Sequence, residues 1–361
     1  MNIKPNFKIL DCLRGIAALY VVINHCRGNL FIGGSEMAKI IPVADWSIWT
    51  KIHYALLQFT SLGTEFVIVF FVLSGFSIAY SLRNQQKKGS FYLKRLIRLY
   101  PPYIAALCWA ALVFYLISKF EPSLNGNVTS VIHSYKSILS NLAYIPDGSY
   151  IGQFWSLIHE VIFYILAPFV FLKRRYYYYI SLIFYLFGWF IAWDDIYGTI
   201  ILTKYLIDYN FFFVIGVWFF HNYNTVMKRL STSILKTVVF SILIIIAMVA
   251  TKYITTDHNK ITPLLAAVLS LFWIVNFQKN KILSKGLLFL GTMSYTLYIT
   301  HFASIEFFHL LLIKFNIIGV GEQIMNPLIW LFGVIFCVFI SYFFYLLAEK
   351  PTKLILEKIR K

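Results

Sequence analysis

Apolar residues along this chain gather into about ten long runs, at roughly 9–28, 60–82, 101–120, 154–172, 176–194, 199–220, 233–253, 261–278, 286–313 and 326–348. A helix of about 20 apolar residues crosses the hydrocarbon core of a bilayer. The pattern therefore predicts an all-α, polytopic membrane protein with about ten transmembrane helices. Most connections between the runs are short and polar. Two are long, about 29–59 and 121–153, and carry the turn signals Gly33-Gly34, Pro42, Pro122, Asn125-Gly126 and Pro146-Asp147-Gly148. Long loops often carry function, and these two are expected to cap or line an outward-facing site. No internal repeat and no appended soluble domain is visible in the pattern.

Charge orients the predicted helices. With Lys4 and Lys8 inside, the inner connections hold Arg83, Lys87, Lys88, Lys94, Arg95 and Arg98, then Lys173, Arg174 and Arg175, then Lys228 and Arg229, then Lys279, Lys281 and Lys285. The C-terminal tail adds Lys350, Lys353, Lys358, Arg360 and Lys361, whereas the outer connections carry only scattered cations. By the positive-inside rule both termini are cytoplasmic. Composition agrees: 60% of residues are hydrophobic, 13% charged and 19% aromatic, and the mean hydropathy is +0.72. The net charge of +17 raises a nucleic-acid reading. Its confinement to loops between apolar runs argues against that, so no nucleic-acid partner is expected. Cys12, Cys26, Cys108 and Cys337 lie in or beside apolar runs and form neither a disulfide framework nor a CxxC metal spacing. The first run carries Asp11 and Arg14 and lacks a clear cleavage site, unlike a signal peptide.

Those two charges, with His25, are the most informative feature of the first helix. Eleven residues make about three helical turns, so Arg14 and His25 share a face about 16 Å apart, and Asp11 falls on the same stripe. Ionisable groups on one stripe of a membrane helix are costly to insert and point to function. His25, at the outer end, is a candidate general base. The plainer alternative is a histidine snorkelling at the interface, bonded to Asn24 or a backbone carbonyl.

Four further clusters carry candidate chemistry. Ser74-Gly75 in the second run admits close approach of a backbone or a ligand, or is ordinary helix packing. Glu65 lies nearer the outer end of that run. Arg95 and Arg98 share a helical face at the inner membrane surface, suited to phosphate oxygens of a cytoplasmic donor or to anionic lipid. Glu160, two turns into a run opening at Trp155, can orient an imidazole or a substrate hydroxyl, or sit protonated against a neighbouring helix. Ser294, Tyr298 and His301 lie near one face of the ninth run. Glu306 and His309 make half of a carboxylate–histidine motif without its second half, so no metal site is assigned.

In order along the chain stand Arg14-x10-His25, Phe70-Phe71-x-x-Ser74-Gly75, the Arg95/Arg98-Pro101 run, Trp155-Ser156-Leu157-x-x-Glu160-x-x-Phe163-Tyr164, Ser294-Tyr295-x-x-Tyr298-x-x-His301 and Glu349-x-Pro351. Together they resemble the acyltransferase-3 family over nearly the whole chain. The resemblance implies one integral-membrane acyltransferase domain over residues 1–361 in a bacterial cytoplasmic (inner) membrane. The implied reaction moves an acyl group, most often acetyl, from cytoplasmic acyl-CoA to a hydroxyl of an extracytoplasmic or lipid-linked glycan such as O-antigen, capsule or exopolysaccharide. Arg14 and His25 match the family's catalytic pair, and Arg95 and Arg98 match its CoA-phosphate motif. Acetyl-CoA enters as a co-substrate, with no permanently bound cofactor. Many members carry a fused SGNH hydrolase-like domain. This sequence ends soon after its tenth run, which implies direct transfer by the membrane domain.

On this reading His25, Arg14 and Glu160 are catalytic and Arg95 and Arg98 bind the donor, while Asp11, Ser74, Gly75, Trp155, Ser294, Tyr298 and His301 line the substrate channel. A transporter or flippase is the competing class, for which Asp11, Arg14, Glu65, Glu160, Lys204, Asp208 and His301 suit a polar path. The absence of inverted repeats weighs against it.

Overall fold

A computed structural model describes residues 4–83, 88–122, 141–142, 152–190, 201–230, 233–254, 260–320, 322 and 324–360. Among these residues the chain forms helices and turns, without a strand. The principal helices are α1 (Phe7–Asn29), α2 (Gly34–Ile40), α3 (Ile48–Leu57), α4 (Gly63–Arg83), α5 (Lys88–Phe120), α6 (Trp155–Leu172), α7 (Arg174–Phe187), α8 (Ile201–Lys204), α9 (Asn210–Arg229), α10 (Ile234–Ile254), α11 (Ile261–Lys279), α12 (Lys285–Thr292), α13 (Ser294–Lys314), α14 (Pro327–Phe344) and α15 (Lys350–Arg360).

Eight helical stretches among the described residues are long and apolar enough to cross a membrane. They coincide with eight of the ten apolar runs. The run at 154–172 forms the 18-residue α6, with Pro168 inside it. The run at 176–194 becomes the 14-residue α7, and its last part lies outside the described residues. Lys173, with φ −126° and ψ 39°, breaks the chain between these two helices, so the basic triplet is a true boundary. The ninth run is not one helix. It divides at Met293 into α12 and α13, because Met293 leaves the helical region of φ/ψ space. The first long loop contains α2 and α3, and α3 is capped by the Ser47 hydroxyl, which accepts from the Thr50 amide at 3.1 Å. Most of the second long loop, including Asn125, Gly126, Pro146, Asp147 and Gly148, lies outside the described residues.

The chain divides into two compact units. One comprises Met1–Ala17, Thr64–Arg95 and Ser156–Thr292; the other comprises Ala18–Gly63, Leu96–Trp155 and Met293–Lys361. In the first unit α10 packs on α11, and α9 packs on α7 and α11. Two glycine crossings set its tightest spacings. A Cβ at Gly75 would overlap the Phe213 carbonyl and one at Gly216 the Val72 carbonyl, so α4 and α9 meet backbone to backbone. Phe71 and Phe163 stack on Phe213 beside this crossing, with ring centroids 4.4 and 4.5 Å away. A Cβ at Gly15 would likewise meet the Gly291 amide, and one at Gly291 the Asp11 carbonyl, which presses α1 onto α12.

In the second unit α13 packs on α14, joined by a 2.8 Å hydrogen bond between the Thr300 and Ser341 hydroxyls. Asn326 caps α14, its side chain accepting from the Leu328 amide at 2.9 Å, with Pro327 as the first helical residue. A π-helical turn at Tyr345–Glu349 links α14 to α15. It turns the buried Glu349 carboxylate toward the first turn of α13, where it accepts the Thr296 amide at 3.1 Å and the Thr296 hydroxyl. Met293, the residue at the cap position of α13, offers no side-chain acceptor, so Glu349 acts as that cap from another helix. Lys353 Nζ, 2.8 Å from the second carboxylate oxygen, balances the charge.

Candidate functional site

The sequence-predicted residues fall into two clusters, one in each unit. The first is built on α4. Arg14 Nη1 lies 2.8 Å from Asp11 Oδ1, one turn back on α1, and Nη2 donates to Ser77 Oγ at 2.6 Å. The Ser77 hydroxyl donates in turn to the Leu73 carbonyl at 2.8 Å. A guanidinium carries five donors, and these bonds occupy two. The Gly15–Gly291 crossing, next to Arg14, holds the α1 backbone in place.

One turn earlier on α4, Ser74 donates to Glu160 Oε1 at 2.8 Å. The Tyr164 hydroxyl donates to the same oxygen from the next turn of α6. Two hydroxyl donors, from two helices, thus meet on one carboxyl oxygen, which accepts both. Arg95 closes the cluster: its guanidinium lies 5.3 Å from the centre of the Tyr164 ring and 5.5 Å from that of Phe91. Gly75 lies in the α4–α9 crossing, where the approaching group is the Phe213 backbone. The packing reading of the Ser-Gly step therefore holds for Gly75, while Ser74 is a hydrogen-bond donor to Glu160.

The second cluster joins the outer end of α1 to α13. The His25 and His301 rings lie 5.2 Å apart, with the Phe302 ring edge-on to His25 at 6.4 Å. His301 is fully buried. Its Nδ1 lies 2.7 Å from the Tyr298 carbonyl. A carbonyl can only accept, so Nδ1 carries the proton and Nε2 is a lone-pair acceptor. That Nε2 is buried without a hydrogen-bond partner among the described residues. Tyr298 donates its hydroxyl to the Gln153 carbonyl at 3.1 Å, and Gln153 Nε2 reaches the Ile299 carbonyl at 3.4 Å. The turn at Gly152–Phe154 and the first turns of α13 are thus joined next to His301. The Asn24 amide next to His25 donates to the Thr60 carbonyl at 2.8 Å. The neighbour that the fold brings to the His25 ring is the imidazole of His301.

Ser294 is the buried first residue of α13, and Trp155 is the half-buried first residue of α6. Arg98 is half-buried on α5, one turn beyond Arg95. The acids that suit a polar path are paired: Asp208 with Lys260, and Glu65 with Lys252 at 3.7 Å. Sequence reasoning passed over Ser77 and the partnership of Tyr164 with Glu160. The three-residue step from Ser74 to Ser77 and the four-residue step from Glu160 to Tyr164 were the available signals.

Comparison with known proteins adds independent findings. A family described as an acyltransferase domain matches residues 7–346. "Acyltransferase MdmB" of Streptomyces mycarofaciens is 31% identical over 164 residues, which span 44% of this chain and 38% of that protein. The alignment thus covers well under half of that relative's length. No solved structure matches. A match from the first turn of α1 to the turn after α14 takes in both clusters, and it establishes that this chain belongs to the acyltransferase-3 family.

Proposed function

We propose that this protein transfers an acyl group, most often acetyl, from cytoplasmic acyl-CoA to a hydroxyl of an extracytoplasmic or lipid-linked glycan. The observation that carries the reading is the pairing of His25 with a buried His301 whose tautomer is fixed by the Tyr298 carbonyl. His25 takes the proton of the acceptor hydroxyl. The oxygen attacks the thioester carbonyl, the carbon–sulfur bond breaks, and the departing thiolate takes up the proton. His301 Nε2, an acceptor with no other partner among the described residues, stabilises the protonated His25 ring.

Arg14, anchored to Asp11 and Ser77, keeps donors for the thioester oxygen or the pantetheine amides. Glu160 positions the acceptor through its hydroxyl-bonded carboxylate. Arg95 and Arg98 hold the donor phosphates as guanidinium forks. Ser294, Tyr298 and Trp155 line the path. Acetyl-CoA is consumed as a co-substrate, and no cofactor is held between turnovers. The protein works as a multi-pass protein of a bacterial inner membrane.

The test uses membranes carrying wild-type or His25→Ala protein, labelled acetyl-CoA and envelope glycans. Base-labile label in glycan with wild type alone is the expected result. Near-normal labelling by a folded His25→Ala protein sinks the proposal.

A further inference from the structure

The first unit contains a cleft that neither cluster uses. Arg83 at the end of α4, Arg174 and Arg175 at the start of α7, Tyr178 one turn on, and Trp218, His221 and Asn222 of α9 line a space of about 700 Å³. Two helices, α4 and α7, therefore aim guanidinium groups at one concavity, and α9 supplies its remaining wall. Among the described residues no acidic side chain lines it. Among the described residues none of these arginines has a carboxylate within ion-pairing distance.

Like charges gathered this way repel, and a bound anion relieves the repulsion. The Tyr178 hydroxyl is buried without a hydrogen-bond partner among the described residues, so a donor stands ready beside the arginines. Trp218 leaves 43% of its surface exposed. The helix-facing polar groups are already committed: His221 Nδ1 to the Val217 carbonyl and Asn222 Nδ2 to the Trp218 carbonyl, both at 2.9 Å.

Basic residues that only anchor a helix to the membrane surface reach outward to lipid or water. These converge on a concave site with aromatic walls. Guanidinium forks match phosphate oxygens, and a tyrosine hydroxyl adds one more donor. The volume lies within the range of small-molecule sites and exceeds what a bare phosphate fills.

We infer that the Arg83–Arg174–Arg175 cleft binds a phosphate group carried on a larger apolar or aromatic molecule. Two sources share this chemistry: the nucleotide end of a thioester donor and the headgroup of an anionic phospholipid. The inference rests on the cleft alone and survives if the acyl-transfer reading fails.

The experiment compares the purified full-length wild-type protein with Arg174→Gln/Arg175→Gln, Arg83→Gln and Tyr178→Phe variants. Adenosine 3′,5′-bisphosphate is titrated calorimetrically in detergent, and phosphatidylglycerol retention from mixed nanodiscs is read by native mass spectrometry. The double variant is expected to weaken one probe at least about tenfold, and Tyr178→Phe a few-fold. A selective loss of bisphosphate binding identifies a nucleotide site, and a selective loss of phosphatidylglycerol identifies a lipid site. A Lys279→Gln protein, which loses a cation at a helix end outside both the cleft and the donor site, serves as the control and retains the affected probe. Should the double variant not fold, Arg83→Gln and Tyr178→Phe carry the comparison. Unchanged affinity for both probes in folded variants, or no binding by wild type, overturns the inference.

Discussion

His301 illustrates how a backbone contact sets the chemistry of a side chain. Its Nδ1–H is committed to the Tyr298 carbonyl three residues earlier, which leaves Nε2 as an acceptor in a site closed to water. Among the described residues that acceptor has no hydrogen-bond partner, and under the proposed mechanism it serves the protonated His25 ring. His301→Asn separates the two roles, because the asparagine amide can still donate to the Tyr298 carbonyl while the Nε2 acceptor is lost. Acyl transfer by His301→Asn is expected to fall about 10²-fold, with an altered pH dependence of kcat and near-normal protein yield. A full-rate enzyme with the wild-type pH profile removes His301 from the reaction. Glu160 teaches a related point. Its spacing from Trp155 marked it in the sequence, but its two hydroxyl donors, Ser74 from another helix and Tyr164 from its own, became visible only in the fold.

Helices in this protein meet where side chains are small or absent. The α4–α9 and α1–α12 crossings each use a glycine from both partners. In a membrane, where lipid is as apolar as leucine, such close backbone approach supplies much of the packing. The motif Glu349-x-Pro351 finds its reason at this scale. The π-helical turn at Tyr345–Glu349 aims a carboxylate at the uncapped start of α13, the helix that carries His301. Glu349→Ala is expected to cost about 2–4 kcal/mol of stability, because it removes a buried, charge-assisted cap from the first turn of α13. Thermal unfolding of the purified protein in detergent reads this directly, and an unchanged melting profile contradicts it. Apolar patterning could not reveal the cap, since Glu349 and Thr296 lie far apart in the chain. Patterning also merged α12 and α13, because the break at Met293 is a backbone event within an apolar run.

At the scale of the whole molecule, the recurring basic connections make a topological prediction. Both termini are expected on the cytoplasmic side, as the basic connections between the ten apolar runs imply. A periplasm-dependent reporter fused to either terminus is expected to be inactive, and a cytoplasm-dependent one active. Opposite results for the two ends would demand an odd number of spans. The same connections do a second job. Arg83, Arg174 and Arg175, which read in the sequence as topology markers, converge on one cleft.

Hydrophobic periodicity and charge asymmetry are local properties, and they were sufficient to determine the class of this protein: an all-helical membrane chain with a charged stripe on its first helix. The ordered motifs along that chain carried the family. What only the tertiary structure decided are relations between distant residues. These are the His25–His301 pair, the two hydroxyls on Glu160, the cap that Glu349 places on α13 and the cleft of three arginines. The physical reason is common to all four. A hydrogen bond, a ring contact or a cleft depends on distances of a few ångströms between helices, and the periodicity of one helix specifies which face it offers without specifying what it will meet.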